Sequence, residues 1–142
     1  MLLDHELKSL HKDQVSSYFN YMTKFYYAPE LTRVLEERLA SDDARIATSG
    51  AYILSLHGPA SSRTKIEARL KRWYDRWRNR EFELEGVQAA ADSEGQSMLQ
   101  TELVSALLNG KNWKLTDTEK RGLAVDCINR PCLRYFPEEL RP

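Results

Sequence analysis

Reactive and metal-binding side chains are scarce in this chain: its 142 residues include three histidines and two cysteines. His5, His11 and His57 stand in no metal-ligand spacing with one another or with a cysteine, which excludes the recognisable zinc patterns. Two cysteines are too few for a disulfide scaffold. Cys127 and Cys132 enclose Ile-Asn-Arg-Pro, too wide for a CxxC redox pair; buried thiols are the first reading, a local disulfide the second and zinc the last. There is no phosphate-cradling glycine-rich loop, no GxSxG elbow and no paired-histidine helix. Ser62 and Lys65 have the SxxK spacing of some serine acyl-transfer enzymes, but no partner motif accompanies them, and Ser61-Ser62 reads as helix capping. No enzyme activity, cofactor or metal is expected.

No apolar run approaches the ~18–20 residues of a membrane span. The start, MLLDHELKSLHKD, lacks a signal peptide's order of basic, apolar and small residues, so a cytoplasmic setting is expected. Excess charge of one sign is missing too. Lys plus Arg and Asp plus Glu each number 21, which excludes a wholly basic nucleic-acid binder and an acidic disordered tail.

What is present is helical periodicity, at a length that fits one domain or a few stacked helical repeats. Residues 1–28 are expected to form an aromatic helix or helix pair. Pro29 suits the first turn of a helix repeating Leu31, Leu35 and Leu39. Ser41-Asp42-Asp43 offers cap oxygens to a helix that runs to about Leu56 and stops at Gly58-Pro59. Thr64 and Glu67 have capping-box spacing for a helix ending near Arg80. After a longer connection, Ser93 and Gln96 open a helix that ends at Asn109-Gly110. Thr116 and Glu119 form another capping-box pair, opening a last helix with Leu123, Ala124, Cys127 and Ile128 that Pro131 ends. An irregular tail follows. One all-helical domain over 1–142 is expected, divided at 28 and 58.

In the helix after Asp43, the small residues Ala47, Gly50 and Ala51 invite a close neighbour. Gly inside a helix costs about 1 kcal/mol relative to Ala, so close packing is its compensation. The helix Ser97–Leu108 carries Met98, Leu99, Leu103, Val104, Leu107 and Leu108 around most of its circumference, the mark of a helix buried between neighbours. Leu31–Pro59 resembles a HEAT-like repeat, with Leu31, Leu35 and Leu39 on its first helix, Asp42-Asp43-Ala44-Arg45 at the turn, and Ile46, Gly50, Ala51, Leu54, Leu56 and Gly58 after it. It departs from that pattern at Ala44, where a larger β-branched residue is usual, and at Tyr52. Residues 65–132 resemble the C-terminal part of uncharacterised bacterial HEAT-repeat proteins through Arg69-Leu70-Lys71-Arg72-Trp73, Trp77, Arg80, Trp113, Leu115-Thr116, Cys127 and Cys132. The resemblance implies an all-α, right-handed α-solenoid of antiparallel helix pairs, with Asp42 and Arg45 linking adjacent repeats. It also implies a noncatalytic interaction scaffold.

The sharpest charge feature is Arg63–Arg80, with eight positive and two negative residues. At ~100° per residue, Ile66, Leu70, Trp73 and Trp77 share one face, and Lys65, Arg69, Arg72, Arg76 and Arg80 form a stripe along its flank. That flank is the expected interaction surface for another protein. The alternative partner is a nucleic acid gripped by its phosphates. Residues 81–110 hold six acids and no base, so pairing of the stripe with that block competes with both. The aromatic cluster Tyr18, Phe19, Tyr21, Phe25, Tyr26 and Tyr27 offers a core stripe or a homodimer contact.

Overall fold

The computed structural model describes residues 29–84, 95–127 and 131–142. The aromatic segment 1–28 with its expected dimer contact, the connection 85–94 with the expected cap Ser93, and Ile128 lie outside them. The described residues are all-α, with no strand among them. Five α-helices run α1 Pro29–Leu39, α2 Ala44–His57, α3 Ser62–Trp77, α4 Gln96–Asn109 and α5 Asp117–Asp126. Short 3-10 turns lie at Glu81–Leu84, Pro131–Tyr135 and Glu138–Leu140.

The helix starts follow from the side chains in two cases. Asp43 caps α2, its Oδ1 accepting from the Arg45 and Ile46 N–H groups at 3.0 and 3.3 Å. Thr116 and Glu119 make the reciprocal capping box of α5, at 3.1 and 3.0 Å. The start of α3 departs from expectation, because the Thr64–Glu67 pair does not open it. The Ser62 and Arg63 N–H groups already donate to Pro59 O and Ala60 O in a preceding turn, which places Thr64 inside the helix. The end of α3 also comes earlier, at Trp77. Asn79 takes the left-handed conformation (φ 68°) that Asn tolerates after a helix end. α4 begins one residue after Gly95, whose φ of 77° needs no side chain. α5 stops at Asp126, and Pro131 opens a 3-10 turn rather than ending the helix.

The order of neighbours defines the core. α1 packs on α2, α3 on α4, α1 on α3, and α2 on α4. The four-residue turn 40–43 folds α2 back along α1, where Gly50 faces the α1 backbone. A Cβ there would stand 2.8 Å from Leu35 O and Leu39 N. The small-residue face of α2 is thus spent on a close helix crossing. α1 and α3 run in the same direction: the start of α3 meets α1 through Ser62 and Glu36, and its middle meets Ser41 through Arg69. α2 and α4 do likewise. The start of α4 meets the start of α2 through Gln96 Nε2 and Asp42 O, and the loop after α4 meets the end of α2 through Lys111 N–H and Ser55 O at 2.9 Å.

Leu31, Leu35, Ile53, Leu54, Ile66, Trp73, Trp77, Leu99, Leu103 and Val104 fill the interior. α4 buries Leu99, Leu103, Val104, Ala106 and Leu107 together with Gln96, Gln100 and Thr101, as expected of a sandwiched helix. Met98 is instead 64% exposed. Cys127 and Cys132 are buried and joined as a disulfide, which replaces the first reading of two thiols with the second. No helix of the described residues is long and apolar enough to cross a membrane.

Candidate functional site

α3 sets the five stripe residues in unlike surroundings. Its apolar face, Ile66, Leu70, Trp73 and Trp77, is buried as the periodicity requires, and the Trp73 indole N–H donates to Gln96 O at 2.8 Å. Arg69 sits beside that face and is only 7% exposed. One of its terminal nitrogens donates to Ser41 O at 3.2 Å, while its Nε has no partner. Burial, and then the positive charge of Arg72, push its pKa down to about 10. Arg72 donates to Ala40 O at 2.7 Å and pairs with Asp42 at 3.3 Å. Together these two arginines hold the exposed carbonyls just past α1, where the helix dipole favours a cation.

Arg76 lies over the Trp77 ring at 4.7 Å and Arg80 at 5.4 Å, so both guanidiniums use the aromatic face. Arg80 lies beyond the end of α3, so it does not continue the helical row. It grips Glu83 with two nitrogens, at 2.6 and 3.1 Å, and that bond holds the Glu83 carboxyl below its usual range. Lys65 is exposed and, among the described residues, has no ion pair or side-chain hydrogen bond. The structure therefore brings Arg69, Arg72, Arg76 and Arg80 against the chain's own carbonyls, acids and ring. Arg80–Glu83 joins the basic segment to the 81–110 acid block. The segment also pairs with Asp42, Glu67, Asp75, Glu119 and Asp126.

The enzyme-like candidates resolve into structure. Ser62 is fully buried and its hydroxyl bonds Glu36 Oε2 at 3.0 Å, with no sign of an exposed nucleophile. His57 ends α2, where an imidazolium would suit the dipole, but burial and the charge of Lys111 lower its pKa and favour the neutral ring. No group of three metal-ligating side chains occurs among the described residues.

Two open cavities were not legible in the sequence. The first, about 640 Å³, lies between α3 and α5, with Leu70, Tyr74, Leu107 and Leu123 apolar and Glu67, Lys71, Asp75, Arg78 and Asp126 charged. Its charges are mutually engaged: Lys71 with Asp75, Arg78 with Asp126, and Glu67 with Arg63. The second, about 550 Å³, is lined by residues 108–115 and Lys120. It holds three lysines and no acid. Periodicity cannot find either, because each joins residues from turns or from helices far apart in the chain. Comparison with protein families, with curated proteins and with solved structures gives no match to this chain.

Proposed function

We propose that the chain is a noncatalytic protein–protein interaction module, built as a short HEAT-like stack of helix pairs. The observation that carries this reading is the pattern of neighbours. In an up-and-down four-helix bundle, consecutive α2 and α3 would pack side by side and α1 would close on α4. Here α2 packs extensively on α4 and α1 more sparingly on α3, each pair running in the same direction. That is the neighbour pattern of two stacked hairpins. α5 extends it, since Arg63–Glu119 ties the start of α3 to the start of α5 and Arg78–Asp126 ties their ends. The turn aspartate Asp42 reaches Arg72 in the next hairpin, in the linking role that the resemblance assigns to it.

Stacked helix pairs generally offer one layer as an extended binding surface. The layer of α2 and α4 exposes Tyr52 (43%) and Met98 (64%), large apolar side chains of the kind interfaces use. The nucleic-acid alternative draws less support, because four of the five stripe cations contact the chain itself. A cytoplasmic setting also fits the disulfide poorly, since disulfides persist mainly in oxidising compartments.

The test is site-specific photo-crosslinking in the source cell, with the reactive residue placed at Tyr52, at Met98 and at Glu37 on α1. One polypeptide captured from positions 52 and 98 but not from 37 is the expected result. Absence of protein adducts at all three positions would overturn it. So would salt-sensitive retention on nucleic acid that Arg72→Glu with Arg76→Glu abolishes in a folded chain.

A further inference from the structure

We infer that the cavity after α4 is a phosphate site, in which Lys111, Lys114 and Lys120 receive a phosphorylated side chain of the partner protein. This rests on the interaction-module reading and gives that partner a chemistry. The loop after α4 is fixed before any ligand arrives. The Lys111 N–H donates to Ser55 O at 2.9 Å, Asn112 Nδ2 to Gly58 O at 2.7 Å, and the Trp113 indole N–H to Leu107 O at 3.1 Å. The Trp113 ring lies directly over Gly110, in space that any Cβ at that position would occupy. Three bonds and one stacked ring therefore hold the lysines' backbone, so little ordering remains to be paid on binding.

The charges of this cavity are unspent. Among the described residues, none of Lys111, Lys114 and Lys120 has an ion pair or a side-chain hydrogen bond, and no acid lines the cavity. The α3–α5 cavity is the opposite, with two bases, three acids and each base already paired. Asn109 and Asn112 are committed to Ser105 and Gly58. The charged donors lining the cavity are three ammonium groups.

Three point charges around one open cavity suit a phosphoryl group, which carries about −1.5 to −2 at neutral pH and three acceptor oxygens. A carboxylate brings one charge and is better matched by an arginine fork, which the lining lacks. Leu108, Trp113 and Leu115 supply apolar wall for the chain that bears the phosphate. The volume fits a side chain and its neighbours, and all three lysines line this one cavity, which favours a phosphoprotein over an extended nucleic-acid backbone.

The test follows the Trp113 indole and the 110–120 amide signals by NMR in the full chain. The probes are a short alanine peptide carrying one phosphoserine, the same peptide with serine, the same with glutamate, and a short single-stranded oligonucleotide. The phosphopeptide is expected to move those signals with saturation on the order of millimolar or tighter. Lys114→Glu with Lys120→Glu is expected to weaken it roughly tenfold or more. Lys71→Glu, the same charge reversal made once on α3, is expected to leave binding unchanged. Thermal melting of each variant confirms that it is folded. Unmoved signals with every probe, or equal response to glutamate and phosphoserine, would overturn the phosphate site; the crosslinks from Tyr52 and Met98 would still decide the module reading. An oligonucleotide that binds the same amides more tightly than the phosphopeptide overturns both.

Discussion

α4 and α5 are both helices of this domain, yet they are held in place by different physics. α4 is enclosed by α2, α3 and the 3-10 turn at Pro131–Tyr135, and it buries residues on nearly every side. α5 buries Ala124 alone and leaves Val125 59% exposed. What fixes α5 is a set of directional ties at its ends. Its capping box and the Arg63–Glu119 pair hold its start. The Arg78–Asp126 pair, the Tyr74 hydroxyl on Asp126 O and the Cys127–Cys132 disulfide hold its end. Apolar burial scales with area and responds to cavities. Exposed ion pairs contribute about 0–1 kcal/mol each and respond to salt and pH. The body formed by α1 to α4 and the appended α5 therefore fail under different stresses.

The largest effect belongs to the body. Trp73 is almost fully buried, meets Tyr74 edge-on at 5.3 Å between ring centroids, and ties α3 to the start of α4. Trp73→Ala is expected to cost about 3–5 kcal/mol. Denaturant unfolding followed by far-UV circular dichroism should show α1 to α4 lost together, at a lower midpoint. Early loss of α5 with the body intact would break the comparison.

One substitution made at two places sharpens it. Gly50 faces the α1 backbone, whereas an added Cβ at Gly122 in α5 meets nothing within 4 Å. Alanine gains helix propensity at both sites. At Gly50 the clash with Leu35 O and Leu39 N outweighs that gain, and Gly50→Ala is expected to lose about 1–2 kcal/mol of global stability. Gly122→Ala is expected to gain about 0.5–1 kcal/mol, seen as slower amide exchange within α5 rather than as a higher global midpoint. Equal signs at the two sites would show that α5 is as closely packed as α2.

This contrast also explains which features were legible in the sequence. Ile66, Leu70, Trp73 and Trp77 announce a buried face through spacing alone, and Asp43 and the Thr116–Glu119 pair announce helix starts through local hydrogen bonding. The close approach at Gly50 was readable because an interior helical glycine needs a packing reason. The fate of the cations was not readable. Arg69 and Arg72 serve the carbonyls of a turn some thirty residues earlier in the chain, and no local pattern encodes a neighbour that only the tertiary fold supplies. Equal and opposite charge in residues 63–80 and 81–110 suggested a partner for the stripe. Among the described residues the basic segment pairs with Glu83 of that block and also with acids elsewhere in the chain, such as Asp42, Glu119 and Asp126. The lysine cavity was not legible for the converse reason: Lys111, Lys114 and Lys120 share no helical face, and only the fold places them around one cavity.

The smallest expected effect is the most selective, and its sign separates the two helices. Glu119 is held below its ordinary value first by the Thr116 N–H and then by Arg63. A folded value below the unfolded one means that its contribution is complete above the ordinary carboxylate value of 4.5. That contribution is lost as pH falls through the lowered folded value. Glu102 on α4 is the reverse case. Burial raises its value, so its charge opposes folding at neutral pH, and acid relieves that cost as pH falls through the raised value. Acidification is therefore expected to loosen α5 before it weakens α4. Amide exchange compared between about pH 6 and about pH 3, corrected for intrinsic rates, should show α5 losing protection first. Glu119→Gln cannot titrate and should remove most of the pH dependence in α5, while Glu102→Gln should leave it in place. If α4 and α5 lose protection together in both variants, the ties of α5 carry no independent share of its stability, and the two helices belong to one cooperative unit.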